Sequence, residues 1–312
     1  MRVVVAGLGV QGYKRRAVAG PDFVASVDPV NAEADYRRID DIPVEKYDAV
    51  LACIPDAPKI AVLNYCVKNK KQILVEKPLY AERVGGIIDL EQRARDAGVV
   101  CYTAYNHRFE PHYVRMRDLI ASHQLGKIYS CRMFYGNGTA RLVRESVWRD
   151  QGAGVLPDLG SHLLDTCRFW FGDIPDDFSV VSARAFENRA PDHVVILSAG
   201  GALRIELEMT LLMWRNHFTC DILAEKGSAH ISSLCKWGPS VFTHRKRVLP
   251  SGRPPEESVT LVQDDPTWAL EYAHFKKLCA SGTPTDLSED VWLHQALERI
   301  GNDAISIARK TA

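Results

Sequence analysis

The stretch Gly154-Val155-Leu156-Pro157-Asp158-Leu159-Gly160-Ser161-His162-Leu163-Leu164-Asp165 concentrates side chains that exchange protons. A helix beginning after Pro157 puts Asp158, His162 and Asp165 at i, i+4 and i+7, so all three share one face while Leu159, Leu163 and Cys167 anchor the others. A histidine with an ordinary pKa of about 6.5 takes or gives a proton near neutral pH. A carboxylate beside it fixes the imidazole or grips a neighbouring hydroxyl. The bland alternative is a capping aspartate and a core histidine, and Asp165, one turn further, fits a structural role better than a catalytic one. A second chemical group is Lys77 in Glu76-Lys77-Pro78. Lysine needs a large pKa shift to act as a base at neutral pH, so its suitable task is to stabilise developing alkoxide charge.

These groups need a scaffold, and the chain starts with one. Residues 2–6 form a continuous apolar run, as in a parallel strand buried on both faces, followed directly by Gly7-Leu8-Gly9-Val10-Gln11-Gly12. Gly7 permits a tight turn, Gly9 lets backbone approach a pyrophosphate, Gly12 lets helix pack on strand, and the helix N-terminus carrying Val10 and Gln11 faces the phosphates. A second strand, 23–27, ends at Asp28, placed to bind a ribose 2′-hydroxyl and to repel a 2′-phosphate. NAD is therefore expected in preference to NADP. The alternative for Asp28 is a plain turn residue before Pro29. Strands at 47–54 and 72–75 stop at Pro55 and Glu76. The carboxyl ends of such strands line the ligand crevice, which puts Pro55, Glu76 and Lys77 beside the cofactor. Proline after Lys77 keeps that residue out of helical geometry, and the bond is open to the cis form.

Strand and helix alternate up to 98–103, with a short helix at 31–38 and longer ones at 60–68 and 84–97. The pattern then changes. After a helix at 111–123, strands follow closely at 127–135, 178–186, 194–198, 202–211, 217–224, 229–232 and 240–248, with another at 259–262, and helices at 266–279 and 289–309 close the chain. Arg204-Ile205-Glu206-Leu207-Glu208-Met209 alternates polar with apolar, which marks a sheet with one buried face. The fold class is α/β followed by α+β, with domains at 1–104 and 105–312.

Bulk properties narrow the function. The 312 residues exceed one ordinary core, and 46% hydrophobic with 25% charged residues is a globular composition. A formal net charge of +0 gives no general attraction to nucleic acid or anionic lipid. A small molecule is the expected partner. The eight cysteines are scattered singly, as in the reduced core of a cytoplasmic protein. Met1-Arg2 runs straight into the first strand, leaving no room for a signal peptide, and no later apolar run spans a membrane.

The order Gly-x-Gly-x-x-Gly, Glu76-Lys77-Pro78, Asn106-His107-Arg108-Phe109 and Gly154 through Asp165 resembles the glucose-fructose oxidoreductase and inositol dehydrogenase (Gfo/Idh/MocA) family. The resemblance implies an N-terminal Rossmann domain and a C-terminal domain on an open, mostly antiparallel sheet. It implies NAD(P)-dependent oxidation or reduction of sugars, cyclitols and sugar nucleotides. Lys77 matches the lysine of the family's Glu-Lys-Pro signature, and Asp158 and His162 match its Asp-x-x-x-His signature. The sequence departs from the family at Lys59, where members commonly carry a histidine.

Asn106, Arg108, Trp148 and Arg149 join Lys77, Asp158 and His162 as candidate substrate contacts. Trp148 is suited to stack on a sugar face, and Arg141, Arg144 or Arg149 to hold a carboxylate or phosphate, unless the arginines are simply solvated. The alternating strands predict an outward sheet face and a homodimer, or a tetramer built from dimers. Rival readings are a metal enzyme using Asp158, His162, Asp165 and His107, against which no metal is expected, a glycosidase using NAD in transient oxidation, and a dinucleotide-binding regulator without chemistry.

Overall fold

Val3 to Ala6 offers no polar side chain to water, and in the computed structural model, which describes residues 1–146, 149–198 and 200–311, it lies inside a sheet. In chain order the elements are β1 (Val3–Ala6), α1 (Val10–Ala19), β2 (Phe23–Val27), β3 (Ala49–Ala52), α2 (Asp56–Lys68), β4 (Gln72–Glu76), α3 (Gly85–Ala97) and β5 (Cys101–Ala104). There follow α4 (Pro111–Ala121), β6 (Ile128–Gly136), α5 (Ala140–Arg144), α6 (Ser161–Phe171), β7 (Ser179–Arg184), β8 (His193–Ser198), β9 (Arg204–Thr210) and β10 (His217–Ala224). The last are β11 (Gly227–Ser232), β12 (Ser240–Lys246), β13 (Glu256–Leu261), α7 (Thr267–Ser281) and α8 (Ser288–Thr311). No helix among the described residues is long and apolar enough to cross a membrane.

The chain divides into one unit of residues 1–106 with 266–294 and another of 107–265 with 295–312. In the first unit β1 to β5 form a parallel sheet of order β2-β1-β3-β4-β5, with its topological switch between β1 and β3. Alternate residues serve its two faces. Val4, Ala6, Val50, Ala52, Ile73 and Val75 join Leu63 of α2 and Ile87 and Leu90 of α3 in one core. Val3, Val5, Leu51 and Leu74 face Tyr272 and Phe275 of α7 in the other. A single boundary at 104 leaves 266–294 in the second domain, yet α7 supplies the apolar cover that the Val3/Val5 face requires. The short helix expected at 31–38 does not form. Asp28 and Asn31 accept backbone N–H groups locally, and Tyr36 instead makes a parallel bridge with Val27.

The second unit is built on an eight-stranded sheet of order β13-β12-β11-β10-β6-β9-β8-β7, antiparallel except for the β6–β9 pair. Its alternation is the expected one: Cys131 and Met133 of β6 and Ile205, Leu207 and Met209 of β9 are buried. The intervening residues point outward and pair in charge, with Arg132 Nε 3.2 Å from Glu206 and Nη2 3.7 Å from Glu208. All eight cysteines are free, and six of them are buried.

Two glycines of the first turn are forced by contact. A Cβ on Gly12 would lie 1.9 Å from the Gly7 carbonyl oxygen, and Gly7 itself has φ +91° with Cys53 oxygen 2.3 Å from its own missing Cβ. Gly12→Ala must push α1 away from β1, at a cost of about 1–3 kcal/mol or more. Denaturant unfolding should show that loss for Gly12→Ala and none for Gly9→Ala, whose Cβ would meet nothing within 4 Å. Equal stability of Gly12→Ala and the parent would contradict this packing.

Candidate active site

In the first unit the glycine turn sits at the carboxyl end of β1. Gly9 caps α1 with no side chain bonded to the first-turn N–H groups, and exposed Val10 and Gln11 follow it. Open space at Gly9 and uncapped amides are what a pyrophosphate needs, so the cradle fits a dinucleotide. Asp28 stands beside the turn, with Oδ2 accepting from Leu8 N at 2.8 Å and Oδ1 from Val30 N and Asn31 N, both at 2.8 Å. Partial burial works against its charge, but these amides and Arg37 hold its carboxyl below the usual range. It is thus an anion that shapes its own loop, and with three of about four lone-pair sites used it retains capacity for a hydroxyl.

Pro55 is exposed at the start of α2. Glu76 is turned inward, its Oε1 accepting from Arg15 Nε at 2.6 Å, so its role is to fix the strand end that carries Lys77. The Lys77–Pro78 bond is cis. Lys59, where the family commonly has histidine, is buried and donates from Nζ to Asp56 Oδ1 at 2.6 Å and to the Pro78 carbonyl at 2.9 Å. It grips the turn that presents Lys77. Asn106 also belongs to this unit, where its amide donates to Thr267 Oγ1 at 2.8 Å and ties the end of β5 to α7.

In the second unit the expected helix does not run evenly from Pro157. Leu156–Gly160 is a π-helical turn, and regular α-helix starts at Ser161, whose hydroxyl bonds back to the Pro157 carbonyl at 2.8 Å. Gly154 (φ +56°) lets the chain enter against Pro191, and Gly160 lets the turn sit on β9, since a Cβ there would lie 2.8 Å from Met209 sulfur. The wider turn carries Asp158, while His162 and Asp165 keep ordinary α-helical spacing in α6. Asp165 is buried and gripped by Arg108, with Nη2 to Oδ1 at 2.5 Å and Nε to the two oxygens at 3.0 and 3.1 Å. Asp165 and Arg108 thus make a structural fork, the role the sequence favours for Asp165.

Asp158 and His162 still converge, and their common neighbour is Tyr135 near the end of β6. Burial pushes the Tyr135 phenol far up, and the Asp158 charge adds to the push, so it stays a neutral donor. His162 lies 6.2 Å from the Tyr135 ring and stacks on His107 with centroids 3.9 Å apart at 19°. Arg149 Nη2 is 3.6 Å from Asp158 Oδ2. Arg141 and Arg144 project from the surface of α5. Trp148 lies outside the described residues. Beside the histidine stack, Lys236 Nζ is 3.0 Å from His107 Nε2. Tyr135 and Lys236 were not anticipated. The first had a signal, as the inward-facing residue at the end of an alternating strand, whereas nothing local connects Lys236 to a histidine 129 positions away.

The fold and these two sets of residues define the class, an α/β unit whose glycine turn fits a dinucleotide and an α+β unit with a histidine-bearing helix on an open sheet. The family resemblance is borne out, since residues 113–230 match the family model described as the GFO/IDH/MocA C-terminal domain. The chain is 27% identical over 202 residues to trans-1,2-dihydrobenzene-1,2-diol dehydrogenase of Oryctolagus cuniculus, covering 64% of this chain and 60% of that protein. It is 26% identical over 199 residues to scyllo-inositol 2-dehydrogenase (NAD(+)) of Bacillus subtilis (strain 168), covering 55% and 54%. The match thus spans between about half and three-fifths of these curated relatives. Among solved structures, UDP-N-acetylglucosamine 3-dehydrogenase from Acidithiobacillus ferrooxidans superposes with TM-score 0.81 at 18% identity over 98% of each chain. Levoglucosan dehydrogenase in complex with NADH does so with TM-score 0.80 at 17% identity over 99% and 98%.

Behind Lys236, the neighbouring Cys235 donates from Sγ to buried Glu110 Oε2 at 2.9 Å. Burial pushes the Glu110 carboxyl above its usual range, against the Cys235 bonds and the Lys236 charge. A carboxyl raised in the folded state contributes stability below its ordinary pKa, and that contribution is lost as pH rises through the raised value. Unfolding free energy should therefore decline over that window, and Glu110→Gln should remove part of the decline. Parallel pH profiles for Glu110→Gln and the parent would contradict the assignment.

Proposed function

We propose that this chain is an NAD-dependent oxidoreductase acting between a secondary alcohol and the ketone of a sugar, cyclitol or sugar nucleotide. The observation that carries the reading is the glycine turn, in which Gly7 and Gly12 are fixed by contact while Gly9 and the uncapped start of α1 face open space. The relatives add support, because the proteins they are named for are dehydrogenases of diols, cyclitols and sugars. Gly7, Gly9, Val10, Gln11 and Gly12 would hold the pyrophosphate, Asp28 the adenosine ribose, and Pro55 and the Glu76-Lys77 strand end the nicotinamide half. When bound, the cofactor supplies the acceptor or donor of hydride.

The remaining chemistry belongs to side chains. His162 takes the hydroxyl proton during oxidation and returns it during reduction, which requires the neutral ring at the start of oxidation. Lys77 stabilises the developing negative oxygen, and Asp158 orients the reacting group beside the protonated Tyr135. Arg149, adjacent to Asp158, and Trp148 contact the rest of the substrate.

Titration of the full chain should give tighter binding of NAD(H) than NADP(H), and Asp28→Ala should narrow the difference. Preference of the parent for NADP(H) would refute the cofactor assignment. With a substrate found by screening, His162→Ala should lower turnover by about 10²–10⁴ with little change in NAD affinity. Full turnover by that variant would move the base elsewhere.

The outward charged face of the eight-stranded sheet is proposed to pair with a second copy. Sedimentation at micromolar concentration should show a dimer or a tetramer of dimers, and a monomer would exclude it.

A further inference from the structure

An ammonium group has protons to give and no lone pair to accept with. Lys236 Nζ lies 3.0 Å from His107 Nε2, so that nitrogen must present its lone pair and the ring proton must sit on Nδ1. Protonating His107 would place an N–H against the ammonium, which the contact opposes. His107 in turn stacks on His162 at 3.9 Å, nearly parallel. Two imidazolium rings at that separation would repel, so a His107 held neutral is a partner on which His162 can take a proton.

We infer that Lys236 is a positioning residue for the reaction: by donating to His107 Nε2 it fixes His107 as the neutral Nδ1–H ring on which His162 stacks. This rests on the reading of His162 as the proton carrier. Among the described contacts, His107 meets Tyr113 from α4, Tyr135 from β6, His162 from α6 and Lys236. Glu110 feels the Lys236 charge, and Asp265 acts on Glu110 as well. Lys236 is held where it is from two directions. Its ammonium lies 4.8 Å from the Trp237 ring, and its neighbour Cys235 is bonded to Glu110 through Sγ and, at 3.3 Å, through its backbone N–H. Trp237 in turn packs on Tyr135 with centroids 5.6 Å apart, so the segment is anchored on both sides of the lysine, as a device that aims one cation at one ring nitrogen would be.

The ammonium also bears on the stack as a whole. Among its described contacts His162 meets His107 and Tyr135, with the Asp158 carboxylate acting on the same phenol, and a fixed positive charge one ring away weighs against a proton on His162 at rest. Lys236→Met should then move the acid limb of the turnover profile to higher pH, with turnover below that limb reduced by roughly tenfold per unit moved and KM little changed. Lys236→Arg, which keeps charge and donor, should restore the limb.

The test has two arms on the full chain. In the first, ¹⁵N-histidine NMR of the parent should show His107 with an unprotonated Nε2 and protonated Nδ1, assigned by comparison with His107→Gln. Lys236→Met should bring in the Nε2–H form, and Lys236→Arg should preserve the parent pattern. A parent ring protonated at Nε2, or a Lys236→Met spectrum identical to the parent, overturns the inference whatever the activity. In the second arm, the limb should shift in Lys236→Met and return in Lys236→Arg. An unmoved limb alongside a changed tautomer overturns the role in the reaction. Absence of turnover in the parent, or full turnover in His162→Ala, defeats the proposed function instead, and the spectra still decide what Lys236 does to His107.

Discussion

The unit that carries the glycine turn depends on a charge that has almost no access to water. Arg15, on the helix that follows the glycine turn, is 1% exposed and lies between Glu76 at 2.6 Å and Glu271 at 2.7 Å, with its guanidinium over the Trp268 ring at 4.3 Å. Burial opposes its charge, yet the two carboxylates outweigh burial and hold its proton more tightly than usual. Removing one partner of such a buried set costs on the order of 3–5 kcal/mol, a large share of a domain's total stability. That single group joins α1 behind the phosphate cradle, the end of β4 before Lys77, and α7. Geometry at Gly9 and at Lys77 is therefore not set independently.

The same arginine explains what the sequence could and could not show. Buried strands, the glycine turn and the alternating strands of the second sheet are local patterns, and they appear where the spacing predicts them. The membership of α7 is not local. Its Tyr272 and Phe275 read as the apolar face of any helix, and only the uncovered Val3/Val5 side of the sheet and the Arg15–Glu271 pair draw it back to the first unit. Glu76 borders Lys77 and reads as a cofactor contact, but its carboxylate is committed to Arg15.

The second unit shows the limit of counting helical positions. Asp158 lies in the π-helical turn at Leu156–Gly160, whereas His162 and Asp165 lie in the regular helix that follows, and it is their partners that differ. Asp165 goes to Arg108, while Asp158 and His162 remain around Tyr135. Pro157 and Gly160 of that turn are legible in the sequence, but neither its π-helical form nor the close seating of Gly160 on Met209 is. Long-range pairs such as Lys236 with His107 leave no trace in spacing. What such pairs supply is the protonation state of a ring, and the chemistry proposed for His162 turns on that state.

The central claim is direct transfer of hydride from a substrate carbon to nicotinamide. The most direct measurement is product analysis of the full chain with NAD and a panel of sugars, cyclitols, uronic acids and nucleotide sugars, repeated with the active compound deuterated at the oxidised carbon. The account predicts NADH equal in amount to ketone formed, with the deuterium on the nicotinamide ring. Hydrolysis of a glycoside with no net NADH, or no reduction of NAD by any member of the panel, would contradict it.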